Sequence, residues 1–398
     1  MHDEGGTSQQ TSGKLFTRDF ILGFLALFVF LAADRSLTPT LPIYFTRLGS
    51  NEGEVGVLIG ICAAASLVSR FFVGGALLRY QARSIMMFGA LLSAIAFLAS
   101  VVLRPFWPFA MIRFLQGVAL ACIDTAAFAS IVNVIPLAYR TRALGYVMLA
   151  PSLSLAIAAP LGVFVINRYS SNTYFLSCAA LTFCALFLSS MVKDRETDTP
   201  NPKKAGSFHF SSLVNLKILK PAVVTFLELF VWGSVAAFFP LYAVQCGVTN
   251  PGHFFSAMGI VMIACRMFGG KIMDTCDKEK LIVTFLLTLT VMLIILSFSR
   301  TLLMFIIVGA VWGIGAAFFV PVAMAYALEY SGSSDGTAVG TIRAIFDLGL
   351  AVGPTVTGII IPFTGYRIMF LFMAFICLVN VSHFHFYVRK RRPAAPAA

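Results

Sequence analysis

Apolar residues run along this chain in blocks of about twenty or more, broken by short polar stretches. A helix rises ~1.5 Å per residue, so about 20 mostly apolar residues cross the hydrocarbon of a bilayer. By that rule the pattern predicts twelve spanning helices, at roughly 20–45, 54–78, 84–103, 107–135, 141–166, 173–192, 220–246, 252–274, 281–299, 301–330, 336–362 and 366–388. Several exceed the minimum, which predicts tilt or ends that project past the lipid. One break is long, polar and Pro-bearing, at 193–219. It divides the chain into a tail (1–19), a six-helix bundle (20–192), a linker (193–219), a second six-helix bundle (220–388) and a second tail (389–398). The expected fold class is an all-α membrane protein.

The two bundles repeat. Pro42-Ile-Tyr44 with Gly49 returns as Pro240-Leu-Tyr242 with Gly247, 198 residues on. Arg70 with Gly74 returns as Arg266 with Gly270, and Gly117 as Gly313, each 196 residues on; Pro160 returns as Pro354 after 194. Parallel six-helix repeats of this kind place a substrate site at mid-membrane between halves that rock around it.

Composition agrees: 59% of residues are hydrophobic and 12% charged, against about 25% charged in soluble domains. A net charge of +12 raises nucleic acid as a partner. The cations, however, lie in short loops and at the C-terminal tail, so positive-inside topology explains them and places the N-terminus, linker and C-terminus in the cytoplasm. The eight cysteines contain no Cys-x-x-Cys pair, which argues against a disulfide framework or zinc site. The first apolar run is long and lacks a small-residue cleavage site, so it reads as a retained helix rather than a signal peptide.

Within the apolar blocks stand a few charges. A charge at membrane depth costs at least ~2.5 kcal/mol, so it normally faces water or a partner and marks a transport path. Arg113, in Arg113-Phe-Leu-Gln116-Gly117, and Asp124, eleven residues further, share one block. Asp34-Arg35 lies about 15 residues into the first helix, before Ser36-Leu-Thr-Pro-Thr-Leu-Pro42, whose prolines suit an irregular helix end lining a cavity. Glu228 is expected to face the cavity or an interhelix gate, near Trp232. Arg343 and Asp347 are four apart and can pair on one helix face. By depth, Asp34 and Arg113 can approach each other. The structural alternative throughout is a set of ion pairs that lock helices together. His383 and His385 are two apart and face different sides; with the acids scattered, no metal site is expected. Phe238-Phe239, Phe318-Phe319 and Trp312 supply an apolar wall suited to an amphipathic organic solute, and few Asn or Gln stand at membrane depth to bind sugar hydroxyls.

Helix count, central linker and repeat resemble the major facilitator superfamily over essentially the whole chain, and three motifs carry the resemblance. That family's Gly-x-x-x-Asp-Arg-x-Gly-Arg-Arg loop is echoed by Gly74-Gly-Ala-Leu-Leu78-Arg79-Tyr-Gln-Ala-Arg83, with Leu78 where the Asp belongs, and by Gly270-Lys-Ile-Met-Asp274 preceded by Arg266. The first copy therefore loses the acid that would pair across an inner gate; the second keeps it. Arg113-Phe-Leu-Gln116-Gly117 resembles the helix-4 motif, whose Arg in proton-coupled members lies near an acid and tunes its proton affinity. Gly349-Leu-Ala-Val-Gly353-Pro354 resembles the Gly-x-x-x-Gly-Pro signature of the drug:proton antiporters; it stands here in helix 11, while the helix-5 copy is Ala159-Pro160-Leu-Gly162. Helix packing and positive-inside charge are the structural readings of the same residues.

The resemblance implies a secondary transporter of the cytoplasmic membrane, expected as a monomer, exporting a small organic solute by alternating access. A proton gradient rather than a cofactor supplies the energy. Asp34 with Arg113 is the expected coupling pair, and Asp124, Glu228 and Asp347 are further protonation or substrate candidates. The gate residues are Arg70, Gly74, Arg79, Arg83, Gln116, Gly117, Pro160, Arg266, Gly270, Asp274, Arg343, Gly349, Gly353 and Pro354. Rival readings are an uptake symporter, an exporter of a metal ion or chelate, a lipid flippase of the same fold, and a non-transporting membrane scaffold. No phosphate-binding Gly-x-x-x-x-Gly-Lys-Ser/Thr loop and no Ser, His and acid constellation support an enzyme.

Overall fold

A computed structural model of the protein describes residues 17–134, 145–193, 218–269, 276–331 and 336–389. The first six helices are α1 (Arg18–Arg47), α2 (Glu52–Ala76), α3 (Ala82–Val102), α4 (Phe106–Val134), α5 (Leu149–Arg168) and α6 (Ser171–Met191). After the linker come α7 (Leu219–Gln245), α8 (Gly252–Phe268), α9 (Lys278–Phe298) and α10 (Leu302–Ser331). The helical run Gly336–His383 is two helices, α11 (336–364) and α12 (366–383), joined at Gly365, where φ is 77° and ψ 168°. A short π-helical turn, Phe384–Val388, ends the described chain. Ten helical runs in the described residues are long and apolar enough to cross a membrane, the last of them holding both α11 and α12; α8 is shorter, at 17 residues. The expected twelve helices are therefore present, with α8 ending earlier than the apolar pattern suggested; Gly270 and Asp274 lie outside the described residues.

Local chemistry sets several helix starts. Asn51 and Glu54 form a reciprocal capping box at α2, and Ser170 and Asp277 accept backbone N–H bonds at the starts of α6 and α9. Just beyond the ends of α1 and α7 stand Gly49 (φ 90°) and Gly247 (φ 85°). An L side chain is strained at such angles and glycine is not, so this repeat anchor is a chain-reversal requirement in both halves.

Within the first half α1 packs on α5 and α6, α3 on α4 and α6, and α2 on α4. In the second half α8 packs on α10, while Gly349 and Gly353 of α11 lie against the backbone of Phe226 and Phe230 in α7. Between halves, α2 meets α11, α5 meets α8 and α1 meets α7. The two outer seams are related by the internal repeat. A Cβ on Gly56 would strike the Pro354 carbonyl, and a Cβ on Gly252 would strike Pro160. Gly56 and Gly252 are 196 residues apart and the two prolines 194. Each seam is one small residue of α2 or α8 seated on a proline turn of α11 or α5, which lets the backbones approach closely.

The halves close most tightly at the end away from the chain termini. There nearly every residue of α1 from Ser36 to Phe45 and of α7 from Gly233 to Ala243 is buried. Phe238 and Phe239 belong to this closure, with Phe239 4.2 Å from Phe254 and 5.1 Å from Phe305 between ring centroids. They are core, which corrects the expectation of a pocket wall. The proline stretch of α1 is likewise a continuous, buried helix rather than an irregular cavity lining. Its polar groups are satisfied internally: Tyr174 of α6 receives a 2.7 Å bond from Thr40 and shares a 2.8 Å bond with Ser36.

Glycine contacts give a direct stability test. A Cβ on Gly117 would meet the Cys62 carbonyl of α2, whereas one on Gly74 would meet nothing within 4 Å. Gly117→Leu is expected to cost about 1–3 kcal/mol through overpacking, and Gly74→Ala to be neutral or slightly stabilising. Thermal unfolding of the purified detergent-solubilised variants checks both.

Candidate functional site

Apart from Glu228 of α7, the charges predicted at membrane depth gather in two groups, one on the seam between α2, α4 and α11 and one at mid-span on α1 and α4. In the first, Arg70 stands six residues before the end of α2 and joins two carboxylates. Its Nε donates to Asp347 Oδ2 of α11 at 2.6 Å, and its Nη1 donates to Asp124 Oδ2 of α4 at 2.8 Å. A weaker bond runs from Nη1 to Thr125 Oγ1 at 3.4 Å. Arg70, Asp124 and Asp347 are all largely withdrawn from solvent. The guanidinium fork suits this role, since one planar cation presents donors in two directions. Because Asp347 belongs to the second half and Arg70 and Asp124 to the first, the bridge crosses between halves.

This corrects the expected local pair. Arg343 and Asp347 share a helix face, but Asp347 takes Arg70, a partner 277 residues away. Arg343 instead sits over the ring of Phe128 of α4, 5.7 Å from its centroid, a second contact between halves. Arg70 is thus a strut between halves, not merely a helix-end residue.

The repeat places Arg266 of α8 where Arg70 stands in α2. Arg266 also crosses between halves, donating to Ser152 Oγ of α5 at 2.9 Å and to the Met148 carbonyl. Its partners are neutral; among the described residues it joins no carboxylate. The same seam is stitched further along by Ser256 donating to the Ala156 carbonyl at 2.6 Å and by Asn250 donating to the Pro160 carbonyl at 3.1 Å.

The second group holds the opening candidates. Arg113 is buried and donates to the Leu58 carbonyl at 3.2 Å and to Gln116 Oε1 at 2.7 Å. Asp34 has Arg35 as its ion-pair partner, at 3.9 Å, and not Arg113. That separation is beyond a hydrogen bond. The side chains of Asp34 and Arg35 remain 18% and 37% exposed, although they sit midway along a helix that packs on five others. The expected Asp34–Arg113 pair is not formed; adjacency in sequence wins over matched depth.

Glu228 of α7 is buried, and its Oε2 has no hydrogen-bond partner among the described residues. It lines a narrow apolar crevice with Phe285 of α9 and Trp312 and Phe319 of α10. Trp232, one turn away, lies edge-on to Trp312 with centroids 5.7 Å apart. No cation among the described residues pairs with it. Here part of the expected aromatic wall is realised, although Phe318 stacks on Phe285 behind it.

The remaining motif residues are packing or surface elements. Gln116 orients Arg113, Gly117 admits α2, and Gly349, Gly353 and Pro354 seat α11 against α7 and α2. Arg79 is exposed and Arg83 half-buried at the α2–α3 turn, with no carboxylate partner among the described residues. His383 stacks on Tyr387 rather than facing a ligand set, and no group of three metal-ligating side chains occurs among the described residues. Sequence reasoning missed Tyr174, Phe128 and Ser152, each a partner supplied from a distant helix; an i,i+3 or i,i+4 rule carries no signal for such pairs.

The family model described as Major Facilitator Superfamily matches residues 23–297 and 252–398. The chain is 27% identical over 394 residues to the "Multidrug resistance protein MdtG" of Klebsiella pneumoniae, covering 94% of each. It is 21% identical over 378 residues to the "Staphylopine export protein" of Staphylococcus aureus, covering 90% of this chain and 94% of that one. Among solved structures it is similar to the nucleoside transporter NupG in its D323A form, with a TM-score of 0.76 at 12% identity, over 92% of this chain and 99% of that one. It is also similar to the human organic anion transporter MFSD10, with a TM-score of 0.69 at 16% identity, over 92% of this chain and all of that one.

Removing one partner of a buried ion pair strands the other, at a cost of about 3–5 kcal/mol. Arg70→Ala is therefore expected to destabilise strongly, and Asp347→Asn less, since Asp124 still balances Arg70. A double-mutant cycle on Arg70 and Asp347, read by thermal unfolding, should give a coupling within about 0.5–3 kcal/mol. The parallel cycle on Arg266 and Ser152 should give a smaller value, because one partner there is neutral.

Proposed function

This chain belongs to the Major Facilitator Superfamily, and from that premise we propose that it exports an amphipathic organic solute against a proton gradient. It is a multi-pass membrane transporter; the direction, the coupling ion and the residues that carry them are our reading. Export is supported by the names of the two relatives above, one a multidrug resistance protein and one an export protein. Proton coupling is supported by the carboxyls that lack a hydrogen-bonded cation. The observation that carries the reading is Asp34: an acid at mid-span, part-exposed, with its only ion-pair partner among the described residues held at 3.9 Å.

In this reading Asp34 takes up and releases the coupling proton. Arg35, 3.9 Å away on the same helix, is its partner in this reading. Glu228, in its apolar crevice, is the second proton-carrying site and faces the lipophilic part of the solute. Asp124, Asp347 and Arg70 serve as a latch across the α2–α11 seam rather than as proton carriers, because both acids are already held by one guanidinium. Rocking would open the end nearest the termini by parting Arg70 from Asp347 and Arg343 from Phe128. That end faces the cytoplasm and the tight aromatic closure faces outward, in keeping with the basic loops and tails. The membrane is the cytoplasmic one, the working unit is a monomer, and no cofactor takes part.

Everted vesicles with an acidified lumen, given a panel of amphipathic fluorescent dyes in the external medium, test this. Asp34→Asn should lower gradient-driven flux at least tenfold while leaving dye binding and folding intact. Glu228→Gln should lower flux with retained downhill exchange of dye. Flux that persists in Asp34→Asn at the wild-type rate would reject Asp34 as the coupling site, and solute-driven proton entry in the direction of solute uptake would turn the reading into a symporter.

A further inference from the structure

The helices α2, α3 and α4 enclose a groove on the outer surface of the first half, toward the end that carries the termini. It is lined by Phe72 and Val73 of α2, Ile85 and Phe88 of α3, and Val118 and Cys122 of α4, and holds about 540 Å³. That falls within the roughly 300–1,000 Å³ usual for ligand sites. The lining is almost wholly apolar, yet Phe72 and Phe88 are 74% and 56% exposed. The groove therefore has no protein cover among the described residues, and in a membrane its occupant comes from the bilayer.

Its mouth has a different character. Tyr80 and Ser84, at the α2–α3 turn, line the groove, and Arg79 and Arg83 immediately precede them in sequence. The turn from Leu77 to Arg83 holds two guanidiniums and no acid, Leu78 standing at the one position where the family motif would supply a carboxylate. Neither arginine pairs with a carboxylate among the described residues. An apolar trough whose mouth residues Tyr80 and Ser84 adjoin, in sequence, two arginines without a carboxylate partner among the described residues is complementary to an acyl chain ending in an anionic headgroup. A neutral or zwitterionic lipid fills the trough but leaves those cations unanswered.

We propose that this groove is a binding site for an anionic phospholipid, one acyl chain lying between α2, α3 and α4 and the phosphate meeting Arg79 and Arg83. The site has a route to the transport machinery. Ser69 lines the groove and its neighbour Arg70 carries the latch to Asp124 and Asp347; Cys122 lines it two residues before Asp124. A chain seated there braces α2 against α4 on the far side of the latch.

The test uses the full-length protein reconstituted into phosphatidylcholine vesicles doped with phosphatidylglycerol bearing a diazirine on its acyl tail, or with phosphatidylcholine bearing the same tail. Photolabelling mapped by mass spectrometry should fall on peptides containing Phe72 and Phe88, with the phosphatidylglycerol probe favoured over the phosphatidylcholine probe. Unlabelled phosphatidylglycerol should compete, and glycerol phosphate alone should not. Each of Arg79→Gln and Arg83→Gln should reduce the phosphatidylglycerol signal roughly fivefold. Ser84→Phe, which fills the mouth with both cations kept, should also reduce it. Equal labelling by the two probes means annular lipid only and overturns the proposal, as does labelling unchanged by both arginine substitutions. Displacement by glycerol phosphate would overturn the acyl-chain part. The readout is binding, so the outcome stands apart from whether the protein exports its solute.

Discussion

One guanidinium, Arg70, holds two carboxylates that come from different helices and different halves of the molecule. Placing three charges beside one another within apolar surroundings is expensive, and only close pairing makes it tolerable. That requirement fixes the approach of α2, α4 and α11 at the end near the termini, much as backbone contact through Gly56 and Pro354 fixes it further along the same seam. A bridge of this type contributes little net stability compared with a well-packed apolar contact. It adds sensitivity: neutralising or diverting Asp347 leaves Arg70 balanced by Asp124 within the first half and unties the two halves.

The internal repeat makes the arrangement easier to interpret. Both outer seams use the same device, a glycine on a proline turn, and both carry an arginine at the same repeat position. They differ in what the arginine meets. On one side it finds Asp347 and Asp124; on the other it finds a serine hydroxyl and a backbone carbonyl. A duplicated scaffold has thus been given one ionic seam and one neutral seam, so changes of charge act on one side of the interface.

Much of this was legible from the chain alone. Helix number followed from apolar block length, because a bilayer leaves few other solutions for a backbone. The repeat anchors proved to be physical necessities: Gly49 and Gly247 take left-handed angles, and Pro160 and Pro354 seat the opposing glycines. The identity of the charged residues was also visible. Their pairing was not. Arg343 and Asp347 satisfy a helical spacing rule, yet tertiary approach gave Asp347 a better partner on α2 and gave Arg343 an aromatic face. Asp34 and Arg113 matched in depth, but depth along an axis says nothing about azimuth, and Arg113 turned to Gln116 and the Leu58 carbonyl. Phe238 and Phe239 lie in the core, which sequence does not show for a similar reason, since an aromatic pair reads alike whether it lines a void or fills a core.

The join at Gly365 carries a mechanical consequence. A single residue with φ 77° separates α11 from α12, and the far end of α12 returns to α7, where Asn380 donates to the Val224 carbonyl. One residue makes the connection and both helices are held on α7, which leaves little slack between them. Displacement of α11 at the ionic seam is therefore delivered to the rim of the second half as rigid-body rotation, instead of being absorbed by a pliant loop.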